Sequence, residues 1–345
     1  MPKSRIVIAS PLEPEHVARI HAVDPDRVEI VYEPDLLPPT RYIGDHVGQP
    51  FTRTPEQDQR WRAAVNGADI LWDIPRRRED AEMAVRVKWI QTTSTGVGQS
   101  VKALGLQSSD VLVTTARGVH AGPLAEFVFM ALLAQWRGLA DLQAQQRQHR
   151  WTRQCVEEVA GRHIAIVGAG DLARGVAQRA RAFEIGTVAI ARHSSKPRAH
   201  NALFDAVRPP AELHAVLATA DATVITVPHT PETERMIDRA AFAAMKPGSG
   251  FINIARGQAI DEEALIEHLQ SGHIGFAALD VTTIEPLPEA SPLWDMPNVL
   301  ISPHSASTVA SENAKITEIF CWNLRCWLDG RIAEMRNILD KQLMY

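Results

Sequence analysis

The stretch His163-Ile-Ala-Ile-Val-Gly168-Ala-Gly170-Asp-Leu-Ala173-Arg-Gly-Val-Ala177 reads as a strand, a tight turn and a helix. Gly168 allows the turn and Gly170 lets the backbone approach a pyrophosphate. Ala173 stands where a third glycine packs helix against strand, and alanine is small enough to serve. The first amides of the helix and its dipole attract an anion. Because a strand precedes the glycines, the segment is read as the phosphate-binding turn of a dinucleotide site, made by Gly168, Ala169, Gly170, Asp171 and Leu172. The next strand ends in Ala189-Ile-Ala191-Arg192-His193-Ser194-Ser195-Lys196, with no acid before Asp205. An acid there would hold the ribose diol of NAD. A guanidinium and hydroxyls suit a 2′-phosphate instead, so Arg192, His193 and Ser194 point to NADP, with NAD as the alternative.

Working outward, short β-branched runs alternate with helical stretches on both sides of this turn. Strands are expected at Ile6–Ala9, Val28–Tyr32, Ile70–Asp73, Trp89–Thr92 and Val111–Thr114. A second set is expected at Ile164–Val167, Val188–Ala191, Ala222–Val227, Gly250–Ile254, Phe276–Leu279 and Val299–Ser302. Pro14–His21, Pro55–Val65 and roughly Ala310–Leu328 read as helices, and one long helix is expected from Gly122 to His149. The pattern predicts an α/β chain of two Rossmann-like, doubly wound parallel-sheet domains with a cleft between them. Residues 119–305 would form the dinucleotide-binding domain. Residues 1–118 and 306–345 would form a discontinuous substrate domain.

The 345 residues suffice for two cores, and 45% hydrophobic with 22% charged residues excludes a disordered chain. A net charge of −5 gives no reason to expect nucleic acid. Cys155, Cys321 and Cys326 follow no metal-ligand or disulfide spacing, and no His/Asp/Glu spacing suggests a catalytic metal. No apolar run reaches membrane-spanning length, and no leader is read at the start, so a cytoplasmic protein is expected.

Three further segments each follow an expected strand: Phe251-Ile-Asn-Ile-Ala-Arg256-Gly257-Gln-Ala-Ile-Asp261, Ala278-Leu-Asp280-Val-Thr-Thr-Ile-Glu285-Pro286, and Pro303-His304 after Val299–Ser302. In open parallel sheets, ligands bind beyond the carboxyl ends of the strands. With the glycine turn, these segments closely resemble the D-isomer-specific 2-hydroxyacid dehydrogenase family, in its glyoxylate/hydroxypyruvate reductase-like, NADP-type branch. The resemblance covers nearly the whole chain, including Thr93-Ser94-Thr95-Gly96-Val97 and Arg336-Asn337-Ile-Leu-Asp340.

The resemblance implies an oxidoreductase that moves a hydride between NADP(H) and a small 2-oxo or D-2-hydroxy acid. It implies a homodimer with the Gly122–His149 helix at its interface. Arg256 would bind the substrate carboxylate and polarise the oxo group. His304 would be the acid–base group and Glu285 would fix its ring. Backbone amides of Ser94, Thr95, Gly96 and Val97 would grip the carboxylate. Asp280 would lie on the nicotinamide side, with Val227, Pro228, Thr230, Ile254 and Ala255 completing the cofactor site. Taken singly, each of these residues has an ordinary alternative, such as a loop salt bridge for Arg256 or a turn residue for His304. A dinucleotide-sensing binding protein resembling a corepressor is the competing reading. Trp89 and Trp294 are expected in the core, and His120 at a hinge.

Overall fold

The computed structural model describes residues 3–75, 77–192 and 202–342. Two compact units emerge, one from Met1–His120 with Thr308–Tyr345 and the other from Ala121–Ser307.

In the first unit, strands β1 (Ser4–Ile8), β2 (Val28–Val31), β3 (Ile70–Trp72), β4 (Trp89–Gln91) and β5 (Leu112–Thr114) form one sheet. Its order is β2-β1-β3-β4-β5, and every pairing is parallel. Helices α1 (Pro14–His21), α2 (Pro55–Gly67), α3 (Arg78–Met83) and α4 (Gly98–Ala103) come from its connections. The helix α11 (Glu312–Leu328) packs against α1 after the chain returns. The strands read as unbroken apolar runs because helices cover both faces. Trp72 and Trp89 are fully buried against Phe320 of α11, with ring centroids 5.4 and 4.9 Å away. Trp294 lies in the other unit and is half exposed, contrary to expectation; its indole donates to the Pro288 carbonyl at 3.0 Å, so a surface loop accommodates it.

The second unit opens with α5 (Ala121–Trp136) and α6 (Leu139–Arg147). The single helix expected here is broken at Gly138, whose φ of 65° is left-handed and ends α5. Then follow β6 (His163–Val167), α7 (Asp171–Ala182), β7 (Gly186–Ile190), β8 (Ala206–Arg208), α8 (Leu213–Leu217), β9 (Ala222–Ile225), α9 (Arg239–Ala244), β10 (Ser249–Asn253), α10 (Glu262–Gln270), β11 (Ile274–Leu279) and β12 (Val299–Ile301). The sheet runs β12-β11-β10-β9-β6-β7-β8, again parallel throughout. Strand order reverses between β6 and β9, which is where a doubly wound sheet opens a crevice beyond its strand ends. The edge strand β8 has no counterpart in the sequence reading.

Candidate active site

The segment after β10 is shaped by Asn253. Its side-chain oxygen accepts from the Ala255 amide at 3.1 Å, and its amide donates to the Arg256 carbonyl at 3.0 Å. This bracket sets where the Arg256 side chain starts. Gly257 follows because the loop after β11 passes too close for any side chain. A Cβ there would fall inside the main chain of Thr282. The two loops are stitched further by Gln258 donating to the Thr283 carbonyl at 3.1 Å and by the Thr283 amide donating to Glu262 at 2.8 Å. Neither neighbour of Gly257 is a movable side-chain end, so Gly257→Ala is expected to cost about 1–3 kcal/mol and to displace Arg256 relative to Glu285. A thermal melt beside steady-state kinetics checks this; a variant with wild-type values for both contradicts it.

From β11 comes Asp280, buried, whose Oδ1 accepts from Ser302 Oγ at 2.8 Å and from the Ala306 amide at 2.9 Å. The carbonyl of Asp280 accepts from the His304 amide at 2.8 Å, holding His304 at a left-handed φ of 53°. Glu285 Oε2 lies 2.7 Å from His304 Nδ1, and Glu285 Oε1 accepts from the Thr282 amide at 3.2 Å. The imidazole and carboxylate are 46% and 39% exposed, so the ring stays accessible while its Nδ1 side is occupied. Burial pushes the Arg256 guanidinium below its ordinary value, while the charges of Glu285 and Asp280 pull it back. Arg256, Asp280, Glu285 and His304 thus share one electrostatic neighbourhood beyond β10, β11 and β12.

At the strand-order reversal, Gly168 ends β6 with φ 118°, and a Cβ on it would collide with the Thr226 hydroxyl at the end of β9. Gly170 precedes α7, offers no side-chain cap, and faces open space. The helix start therefore presents amides and dipole to a ligand. Ala169 and Leu172 pack on the core, and Asp171 pairs with Arg174. Close helix packing falls to Gly175 as well as Ala173: a Cβ on Gly175 would lie 2.8 Å from the Ala121 carbonyl of α5.

Val227, Pro228 and Thr230 form the turn after β9, closed by Thr233 Oγ1 bonding the Thr230 amide and the Pro228 carbonyl. Ile254 and Ala255 are buried just beyond β10. Arg192 is exposed, two residues past the end of β7; His193 and Ser194 lie outside the described residues. Asp205 sits at the other end of that strand, accepting from the Thr187 amide at 2.7 Å. Asp205 is therefore not at the carboxyl end of β7, where Arg192 stands within electrostatic reach of Glu232; a guanidinium there suits a dinucleotide carrying an additional phosphate.

In the first unit, Ser94, Thr95 and Gly96 form an exposed turn beyond β4, and Val97 anchors it in the core. The turn is held by Thr92 Oγ1 donating to the Ser94 carbonyl at 2.7 Å and by the Ala116 amide donating to the same oxygen at 3.2 Å. Among the described residues no partner is found for the amides of residues 94–97. The bracket made by Asn253 and the close approach at Gly257 were missed in the sequence reading. So was the pairing of His120 with Thr95 and Glu312. Among the described residues no group of His, Cys, Asp and Glu is placed to hold a metal.

The chain belongs to the D-isomer specific 2-hydroxyacid dehydrogenase family, whose NAD binding domain matches residues 129–306. It is 32% identical to D-3-phosphoglycerate dehydrogenase of Mycobacterium tuberculosis over 84% of this chain and 55% of that one. The chain thus spans about half the length of that relative. It is 30% identical to glyoxylate/hydroxypyruvate reductase B of Serratia proteamaculans over 84% of this chain and 90% of that one. Among solved structures, a D-isomer specific 2-hydroxyacid dehydrogenase from Xanthobacter autotrophicus Py2, in complex with NADPH and MES, aligns with a TM-score of 0.77 and 25% identity. That alignment covers 99% of this chain and all of the other.

Proposed function

We propose that the protein is an NADP-dependent oxidoreductase that reduces a small 2-oxo acid, of the glyoxylate or hydroxypyruvate kind, to the D-2-hydroxy acid. The observation carrying this reading is the Glu285–His304 pair at 2.7 Å, in the same electrostatic neighbourhood as Arg256. When bound, the nicotinamide exchanges a hydride with C2 of the acid. Arg256 binds the carboxylate and draws charge from the oxo group through a guanidinium that keeps its charge. His304 gives a proton from its outer nitrogen to the oxo oxygen and recovers it in oxidation, while Glu285 holds the ring. The backbone amides of Ser94, Thr95, Gly96 and Val97 would take the carboxylate.

Gly168–Leu172 would cradle the pyrophosphate and Arg192 the 2′-phosphate. Val227, Pro228, Thr230, Ile254, Ala255 and Asp280 would line the remaining cofactor surface. The NADPH complex of the Xanthobacter relative supports this assignment. Two further readings belong with it, a homodimer and a cytoplasmic location. The dimer is supported by the exposed apolar side chains of Met130, Leu139, Leu142, Trp151 and Val156 along α5, α6 and the segment after them. Among the described residues no helix is long and apolar enough to cross a membrane.

The test is oxidation of NADPH and NADH, in parallel, against a panel of 2-oxo acids. Turnover favouring NADPH supports the reading, and tight cofactor binding without turnover on any acid overturns it in favour of a dinucleotide sensor. Arg192→Asp is expected to shift the NADPH:NADH ratio of kcat/KM towards NADH by about tenfold or more, since it replaces a phosphate partner with a ribose partner. An unchanged ratio would rule out Arg192 as the 2′-phosphate ligand.

A further inference from the structure

The connection from β2 to α2, residues 32–54, is long, and its one regular element is the short turn Pro34–Leu36. Connections longer than roughly 12–15 residues are uncommon and usually functional. This one is fixed in place by Asp45, which is buried. Its carboxylate accepts from the Arg41 guanidinium at 2.7 and 2.8 Å, from the Arg41 amide at 2.9 Å, and from the Val47 and Gly48 amides at 3.1 and 3.0 Å. Where Pro11–Glu13 follow β1 and Tyr32 follows β2, the connection and the start of α11 enclose a cavity of about 550 Å³. Every residue lining it belongs to the first unit.

The cavity is poor in donors. Pro11, Pro34, Pro38 and Pro39 line it and bring no N–H. The amides of Leu37, Arg41 and Asp45 are spent on the Pro34 carbonyl, the Asp45 carboxylate and the Tyr42 carbonyl. The Tyr32 hydroxyl is spent on the Leu12 carbonyl. Charge is balanced as well. Asp45 neutralises Arg41, while Glu13 precedes α1 and Glu312, beside Gly44, opens α11, so each offsets the positive end of a helix. One acceptor is left over. Asn313, 2% exposed, donates its amide to Glu13 Oε2 at 2.8 Å. A carboxylate only accepts, so the nitrogen faces it and Oδ1 is turned away. Among the described residues that oxygen has no hydrogen-bond partner, and a buried carbonyl is costly to leave bare.

We propose that this cavity is a second ligand site, for a neutral apolar molecule whose single hydroxyl or amide N–H donates to Asn313 Oδ1. The body of the molecule meets Leu12, Leu37 and the proline rings, and Tyr42 and Ile43, which line the same cavity and stay exposed, are covered by it. Volume and make-up are those of small-molecule sites, which are mostly apolar with a few placed polar groups. Because Asp45 already orders the connection, little ordering cost falls on binding. The site is independent of the hydride transfer proposed above and shares no residue with it.

The experiment titrates the whole protein, by calorimetry, with 2-phenylethanol, its methyl ether, 2-phenylethylamine and 3-phenylpropanoate. The alcohol is expected to bind about tenfold more tightly than the ether, the gain of one hydrogen bond to a buried acceptor. Both ions should bind more weakly than the alcohol. In Asn313→Leu the ratio of alcohol to ether should fall to about one, with the melting temperature as a control on folding. Arg256→Ala should bind the alcohol as the unsubstituted protein does. An alcohol that binds no better than the ether, or not at all, would mean that a water serves Asn313, and would overturn the proposal. Tighter binding of either ion would overturn the neutral class of ligand. A preference that survives Asn313→Leu, or alcohol binding lost in Arg256→Ala, would place the alcohol elsewhere and overturn the site. If Asn313→Leu does not fold, a crystal structure with 2-phenylethanol decides in its place, by whether the hydroxyl lies within hydrogen-bond distance of Asn313 Oδ1.

Discussion

His304→Ala is expected to lower kcat for reduction of a 2-oxo acid by roughly 10²–10⁴-fold, the usual contribution of a positioned general acid. The loss should fall on kcat, because the carboxylate is assigned to Arg256 and not to His304. Its ring is committed to Glu285 on one side and open on the other. NADPH affinity should be unchanged, since the glycine turn and α7 lie at the other strands of the sheet. Steady-state kinetics with a parallel fluorescence titration of NADPH separates the two quantities. A kcat within a few-fold of wild type would show that another group protonates the oxygen.

Arg256→Ala is expected to reduce kcat/KM on the order of 10³-fold, with kcat and KM both affected. The guanidinium meets the substrate in the ground state through the carboxylate and in the transition state through the charge growing on the oxo oxygen. Arg256→Lys should recover only part of the loss, because an ammonium cannot reproduce the planar fork. Burial strengthens the argument. Arg256 already sits where desolvation works against its charge and Glu285 and Asp280 sustain it. Its removal would leave those two carboxylates without their shared cation. A KM increase with kcat untouched would restrict Arg256 to binding.

The parts legible in the sequence are those decided locally. Strand, glycine turn and helix around Gly168 are contiguous, so their chemistry and order were readable together. The strands of both units stood out because helices cover both sheet faces and leave uninterrupted apolar runs. Strand β8 escaped because Ala206–Arg208 is three residues at a sheet edge, with Arg208 open to solvent. Gly138 stands inside an apolar and polar pattern that continues on both sides, and only its left-handed backbone shows that α5 stops there. Gly257 reads as an ordinary turn residue until the loop carrying Thr282, 25 positions away, is packed against it. The same holds for Asp205, which looked like the first acid after β7 and is placed at the opposite end of that strand. His120 looked like a hinge residue, and its partners at Thr95 and Glu312 could not be inferred from spacing.

The second unit is a single uninterrupted segment that holds the glycine turn, Arg256, Glu285 and His304, whereas the first is assembled from two stretches. A chimera that keeps this chemistry and imports a new substrate preference therefore needs two splice points, after His120 and before Thr308. His120 lies at one junction and Glu312 four residues beyond the other. A graft that carries either stretch without its mate would separate the imidazole from its carboxylate, so the two must travel as a matched set.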